Sequence, residues 1–131
     1  MIYAYVALQV VLFFLSLFGF FQVKNFLARH NSISQGRDLD SFKSLVRVNM
    51  YVALVYMALG IPGILLSIYL GFVYGLMGIV VVLAINAPHF VFGKYLKSLE
   101  EKARQLQCST EFSQEFRMVG ETWFKKALPN F

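Results

Sequence analysis

Long apolar runs alternate with two charged regions along this chain. Residues 1–23 contain no Asp, Glu, Lys or Arg, and residues 48–93 contain none either. One helix needs roughly 20 apolar residues to cross a hydrocarbon core of about 30 Å. The first run therefore predicts one crossing, and the second run, which is about twice as long, predicts two. The pattern indicates an all-α integral membrane protein with transmembrane helices at 1–23, 48–70 and 71–93.

The turn between the second and third spans can be placed at two points. The Gly-Ile-Pro-Gly stretch at 60–63 has turn chemistry, but a turn there leaves only about 13 residues for the crossing that follows Arg47. A turn at 69–75 gives two runs of about 22 residues each, which suits two crossings. We therefore favour 69–75 and expect Pro62 to kink the second span, because proline removes one helical hydrogen bond.

Small residues near this turn predict close contact between helices. Gly71 and Gly75 stand four residues apart, and Gly78 continues the small face. Glycines at such a spacing let two helix backbones approach each other in a membrane. Gly71 can equally be the turn residue itself, so both interpretations stay open. The predicted helix-packing residues are Gly71, Gly75, Gly78 and Pro62.

The basic residues lie on one side of the predicted membrane. Of the 12 Lys and Arg, five fall in the loop 24–47 and the others in the tail 94–131, and the net charge is +5. By the positive-inside rule, this asymmetry predicts that the N-terminus is outside and that the loop and the tail are cytoplasmic. Anionic lipids are the expected partners, at about 1 kcal/mol per basic residue near the surface. Nucleic acid is not an expected partner.

The first apolar run differs from a cleaved signal peptide. It lacks a basic segment before it, its apolar stretch is too long, and no small-x-small cleavage site follows. We therefore expect a retained span, with Tyr3 and Tyr5 at the outer interface, where tyrosine rings prefer to sit. Gln9 and Ser16 stand seven residues apart, so they share a face that is expected to meet another helix.

The cytoplasmic regions also carry helical patterns. In the loop, Asp38 or Asp40 is expected to cap a helix that starts near Ser41. The third span is expected to continue as a helix into the tail, until Ser109 and Thr110 break it and cap a last helix. The single cysteine, at position 108, is expected to be an ordinary tail residue, because no recognised base stands near it.

The last predicted helix is amphipathic. Its apolar residues recur at steps of four, three and four from Phe112 to Trp123. Aromatic residues beside a basic pair are typical of helices that lie on a membrane surface. We expect this helix to lie there or to dock on a neighbouring subunit. The predicted contact residues are Phe112, Phe116, Trp123, Phe124, Lys125 and Lys126.

The polar residues Asn86 and His89 stand near the end of the third span. A histidine in a span indicates function by default, and His89 could ligate haem or a chlorophyll-type pigment, or hydrogen-bond a quinone. Asn86, on the same helix face, could bind the same ligand or orient the imidazole. However, Lys94 follows only five residues later, about 7.5 Å along a helix. We therefore favour an interface or helix-contact role for His89 over a ligand role.

Several chemistries find no support in the residues. No acidic residue falls in a span, which argues against a carboxylate-driven pump. The sequence shows no paired-carboxylate catalytic site, no Cys/His metal cluster and no nucleotide-binding loop. We therefore expect neither a metal site nor an enzyme that works alone, and the residues require no cofactor.

The pattern favours a small accessory or structural subunit of a larger integral membrane complex, for example one of electron transfer or photosynthesis. The soluble parts are too short to be expected to form a domain of their own. Other integral membrane proteins are the expected partners, and a second copy of the chain is another. One alternative is a homo-oligomeric channel or transporter with Pro62 as a hinge, and another is a haem-, pigment- or quinone-binding subunit that uses His89. The channel path would be lined by Gln9, Ser16, Asn49, Ser67 and Asn86.

Overall fold

The computed structural model describes residues 2–126, 128 and 129, so Met1 and the last part of the predicted tail, at 127, 130 and 131, lie outside the described residues. The described chain is 86% helical. In chain order its elements are α1 (Ile2–Arg29), β1 (Ser32–Ile33), α2 (Gly36–Tyr74), α3 (Leu76–Arg104), β2 (Gln107–Cys108) and α4 (Ser113–Lys125). By length and composition, α1, α2 and α3 can each cross a membrane. The helical class with three span-length helices is therefore confirmed.

A single residue separates α2 from α3. Gly75 has a φ of 59°, a left-handed conformation that glycine adopts without strain. The helix break therefore falls at the end of the 69–75 window, and α2 continues through Pro62. A Cβ added to Gly75 would meet nothing within 4 Å, so Gly75 forms the turn and makes no close helix contact within this chain. Gly71 is not the turn residue, since it lies inside α2.

Gly78 is the glycine at which the two helices of this hairpin approach most closely. A Cβ added to Gly78 would overlap the backbone carbonyl of Leu70, whereas one added to Gly71 would lie 3.8 Å from Ile79, an ordinary contact distance. A backbone carbonyl cannot move aside as a side chain can. The hairpin therefore requires glycine at position 78 and tolerates a larger residue at position 71.

The starts of α2 and α4 differ from the predicted ones. α2 begins at Gly36 rather than near Ser41, because the Asp38 carboxylate accepts hydrogen bonds from the backbone N–H groups of Ser34 and Gln35, at 3.2 and 3.1 Å. These bonds lower the pKa of Asp38. α4 follows Phe112, and no side chain caps it. The capping role predicted for Ser109 and Thr110 is therefore wrong.

The loop and the tail meet in a two-residue parallel strand pair. Ser32 pairs with Gln107 and Ile33 pairs with Cys108, and the Ser109 N–H extends the pairing by donating to the Ile33 carbonyl at 2.9 Å. Segments of two residues carry no periodicity, so the sequence did not predict them. The pairing places both basic regions at the same end of the helical bundle, which we call the basic end.

The main hydrophobic core also lies at the basic end. Its buried residues come from all four helices and from β1, and they are Val23, Phe26, Ile33, Leu39, Phe42, Leu45, Val46, Met50, Ala103, Phe116 and Val119. Most of them lie outside the charge-free runs. The loop and the tail thus form one core together with the ends of the spans, rather than a domain of their own.

Candidate functional site

A hydrogen-bonded cluster joins the three spans inside the bundle. Its centre is Tyr5 of α1, which is fully buried. The Asn86 amide of α3 donates to the Tyr5 hydroxyl at 2.6 Å and to the Val82 carbonyl at 2.8 Å. Ser67 Oγ of α2 lies 3.2 Å from the Tyr5 hydroxyl and 2.9 Å from the Gly63 carbonyl. All three side chains thus find polar partners away from water.

The cluster engages two residues for which other roles were expected. Tyr5 was expected beside Tyr3 at the outer interface, but Tyr3 is 88% exposed while Tyr5 is fully buried. Asn86 was expected to share a ligand with His89, but both hydrogens of its amide are directed to Tyr5 and Val82. The N–H groups of Asn86 are therefore engaged within the cluster, and Asn86 does not line the cavity beside His89.

His89 lies beside a cavity of about 280 Å³ between the spans. Its ring packs edge-on against Phe13, with ring centroids 5.7 Å apart. Among the residues that the structure describes, its buried Nδ1 has no hydrogen-bond partner. The cavity is lined by Leu15, Ser16, Gly19, Asn49, Val52, Ala53, Tyr56, Met57, His89, Gly93, Leu96 and Glu100. A mostly apolar wall with a few polar groups is typical of a ligand pocket, and this volume is near the lower end of the usual range.

The cavity extends toward the basic end, where its lining becomes more polar. The Asn49 amide donates to the Leu45 carbonyl at 3.0 Å, and its oxygen would lie 3.2 Å from a Cβ added to Gly19. Burial raises the pKa of Glu100, against the opposing effect of Arg104 and Lys97. A second cavity shares Gly93, Leu96 and Glu100 with the first, and it is also lined by Lys97, Arg104, Trp123 and Phe124. The two cavities are therefore neighbours.

The described residues offer little for a metal or a haem. Within 2–126, 128 and 129, no three His, Cys, Asp or Glu side chains come close enough to hold a metal ion. His30 stacks on Phe26, with ring centroids 4.6 Å apart, and its Nε2 lies 3.5 Å from an Asp38 carboxylate oxygen. His30 and His89 thus lie in separate surroundings, so this fold does not form a bis-histidine haem site. Burial also raises the pKa of the Cys108 thiol, which disfavours the reactive thiolate.

The aromatic face of α4 packs against α2 of the same chain. Phe116 is buried with its ring centroid 4.6 Å from that of Phe42, and Trp123 packs edge-on against Phe42 at 6.1 Å. Lys43 of α2 forms an ion pair with Glu115 of α4. The aromatic face of α4 is thus covered by α2 of the same chain, whereas a membrane surface or a neighbouring subunit was expected there; an amphipathic pattern does not specify which surface it covers.

The six predicted contact residues of the last helix therefore divide into two groups. Phe112, Phe116 and Trp123 pack in or against the core of this chain. Phe124, Lys125 and Lys126 remain exposed. The Arg104 guanidinium lies 4.7 Å from the centre of the Phe124 ring. Only this exposed group stays available to a membrane surface or a partner.

Comparisons with known proteins leave the geometry as the sole guide to function. No family model, no curated protein and no solved structure matches this chain. Tyr5 and Tyr56 are the site residues that sequence reasoning missed. Their only signal in the sequence is that each lies in an apolar run. That position fits a ring at the membrane interface as well as it fits a buried site residue.

Proposed function

We propose that the protein is a small accessory or structural subunit of a larger integral membrane assembly, with its N-terminus outside and its basic loop and tail in the cytoplasm. The observation that carries this proposal is the uncovered surface of two spans. Each of the three span-length helices contains an apolar window of 18 residues. The share of that window that is buried within the chain is 22% for α1, but only 6% for α2 and 6% for α3. These two faces are free to meet lipid or other membrane proteins.

Gly60 of α2 marks one point on this surface where another helix can approach. A Cβ added to Gly60 would meet nothing within 4 Å, so the fold of this chain does not need a glycine there. Glycine within a helix costs about 1 kcal/mol relative to alanine. Small residues are favoured where helices pack in membranes, because they let the backbones come close. A neighbouring helix against Gly60 supplies a reason for keeping glycine at this position.

The directions of the polar side chains weigh against a homo-oligomeric channel. Gln9 and Asn49 are buried within one chain, and Ser67 and Asn86 are bonded to Tyr5. A path shared between copies needs polar groups on the outer surface of each copy. Four of the five residues expected to line such a path instead point into the bundle.

Gentle detergent extraction of the native protein tests the subunit proposal. We expect the chain to elute within a much larger peak, in which mass spectrometry identifies other membrane proteins. Gly60→Leu is expected to release the chain from that peak without unfolding it, whereas Gly60→Ala keeps the association. Elution of the native chain by itself, or as a ring of its own copies, would show that the proposal is wrong.

A second candidate function is the binding of a lipophilic ligand, for example a quinone or a pigment, in the cavity beside His89. His89 and Tyr56 both line this mostly apolar cavity, and they favour this candidate because such side chains can hydrogen-bond a bound ligand. Solvent extraction of the purified protein, followed by absorption and mass spectra, tests it. His89→Leu should lose the bound molecule, and Phe90→Leu, a change at an exposed neighbour, should retain it. A cavity that yields only bulk lipid in both proteins rejects this candidate.

A further inference from the structure

A groove runs between α1 and α2 at the basic end. Its volume is about 430 Å³, and it is lined by Gln22, Asn25, Phe26, Arg29, His30, Ser41, Ser44, Leu45 and Val48. On each helix these positions recur at i, i+3, i+4 and i+7, so each helix contributes one continuous face. Phe26, Leu45 and Val48 give the groove an apolar floor, and the other side chains are polar.

The polar lining can donate hydrogen bonds and contains no carboxylate. Arg29 offers five N–H donors in a planar fork, the side amides of Gln22 and Asn25 offer two each, and the two serines offer hydroxyls. Among the described residues, none of these five side chains makes a hydrogen bond or ion pair within the chain. Their donors are therefore free for a ligand that is rich in acceptor oxygens. The five side chains are Gln22, Asn25, Arg29, Ser41 and Ser44.

The remaining polar residue of the lining, His30, is already engaged. Its Nδ1 lies 3.2 Å from the Phe26 carbonyl, and its Nε2 lies 3.5 Å from Asp38. The Asp38 carboxylate is in turn held by the N–H groups of Ser34 and Gln35. The Asp38 carboxylate is thus engaged by His30 and by the start of α2, and Arg29 is the cation in the groove lining.

The level of the groove in the membrane indicates where its anion comes from. The end of the groove nearer the spans is formed by Gln22 and Val48. Gln22 lies at the end of the charge-free run 1–23, and Val48 begins the charge-free run 48–93. The groove therefore lies at the boundary between hydrocarbon and headgroups, where lipid phosphates are concentrated. Arg is well suited to phosphate, because its fork can donate two parallel hydrogen bonds.

We propose that this groove binds the phosphate of one anionic phospholipid. Arg29 supplies the charge-assisted contact, and the amides and serines donate the further hydrogen bonds. The glycerol end of the lipid lies toward Val48 and its acyl chains enter the hydrocarbon beside α1 and α2. The proposal does not depend on whether the chain belongs to a larger assembly.

The test measures how tightly the full-length protein retains phosphatidylglycerol, with native mass spectrometry of detergent-purified samples titrated with that lipid. Arg29→Ala should weaken retention about tenfold, the loss expected for one hydrogen-bonded charge. Arg37→Ala removes the same charge from an exposed residue outside the groove lining, and it should leave retention nearly unchanged. The double change Asn25→Ala with Ser44→Ala removes donors but no charge, and it should weaken retention by a smaller factor.

Three results would overturn the proposal. Equal losses for Arg29→Ala and Arg37→Ala would mean that lipid is held by diffuse surface charge. Equal retention of phosphatidylglycerol and phosphatidylcholine by the unaltered protein would mean that net lipid charge is not recognised. Displacement of the lipid by millimolar inorganic phosphate, at constant ionic strength, would mean that the groove takes free phosphate. Circular dichroism of each variant separates lost binding from lost folding.

Discussion

The basic end and the membrane-spanning part of this molecule are held together by different groups. At the basic end, the buried residues are almost all hydrophobic, with Phe26, Phe42 and Phe116 among them. Within the spans, two polar side chains, Gln9 and Asn49, are buried. Gln9 lies against Gly63, and Asn49 lies against Gly19. One chain thus uses two modes of packing along the same helices.

The solvent on each side explains this difference. In water, burying apolar surface is worth roughly 25 cal/mol per Å², so the basic end gains by collecting aromatic rings. Lipid tails are as apolar as leucine, so helices in a membrane gain little from apolar burial and associate through close packing and hydrogen bonds. The Tyr5 cluster and the Gly78 contact are therefore the kinds of interaction expected where water is absent.

Phe42→Ala is expected to have the largest effect on stability. Phe42 is fully buried and contacts rings of α1 and α4, and a truncation of this kind costs about 3–5 kcal/mol. The fluorescence of Trp123, which packs on Phe42, reports the loss directly during denaturant titration. Phe72→Ala removes a ring that is 86% exposed at membrane level, and it should change stability little. Equal effects of the two variants would contradict the comparison.

Gly78→Ala is expected to have the next largest effect. The added methyl group overlaps the Leu70 carbonyl, and overpacking of this kind costs about 1–3 kcal/mol. Gly60→Ala adds the same methyl group where nothing lies within 4 Å, so it should be neutral or stabilising by up to about 1 kcal/mol. Thermal unfolding in one detergent, followed by circular dichroism, ranks the pair. Equal melting temperatures would show that the hairpin is not closely packed.

Tyr5→Phe is expected to have a smaller effect, of about 0.6 kcal/mol and at most about 1.7 kcal/mol, as for other hydrogen bonds between helices in membranes. The ring stays in place and only the hydroxyl is lost, so the measurement isolates the bonds to Ser67 and Asn86. A double-mutant cycle with Asn86→Leu, analysed from unfolding in bilayer-like detergent, gives the coupling energy. A coupling close to the cost of Phe42→Ala would place the main stabilisation in the membrane instead.

Acidification is expected to have the smallest effect, confined to the start of α2. Hydrogen bonds from Ser34 lower the pKa of Asp38 in the folded protein. The resulting stabilisation is present above the pKa of an unfolded Asp, near 3.9, and is lost as pH falls through the folded value. Hydrogen exchange at the Ser34 and Gln35 amides should therefore quicken in acid relative to the ordinary pH trend. Asp38→Asn should remove this pH dependence, and its persistence in that variant would assign it to another group.

The sequence predicted what depends on local composition. Two charge-free runs specified three spans, and the length of the second run placed the turn in a window that includes Gly75. Tyr3 and Tyr5 could not be distinguished, because both fit an interfacial ring until the partners of Tyr5 are known. The α4 face had the same limit, since periodicity marks an apolar side but does not name Phe42 as its occupant. Such pairings join residues far apart in the chain, so no local pattern encodes them.

The strand pair of β1 and β2 has a consequence for biosynthesis. Ile33 lies before the second span and Cys108 lies after the third, so they can meet only when two further crossings have been inserted. Until the tail is translated, the face of α2 that carries Phe42 is not covered by Phe116. A nascent chain stalled before β2 would therefore expose an apolar, association-prone surface at the membrane. Synthesis of the tail is the step that buries this surface.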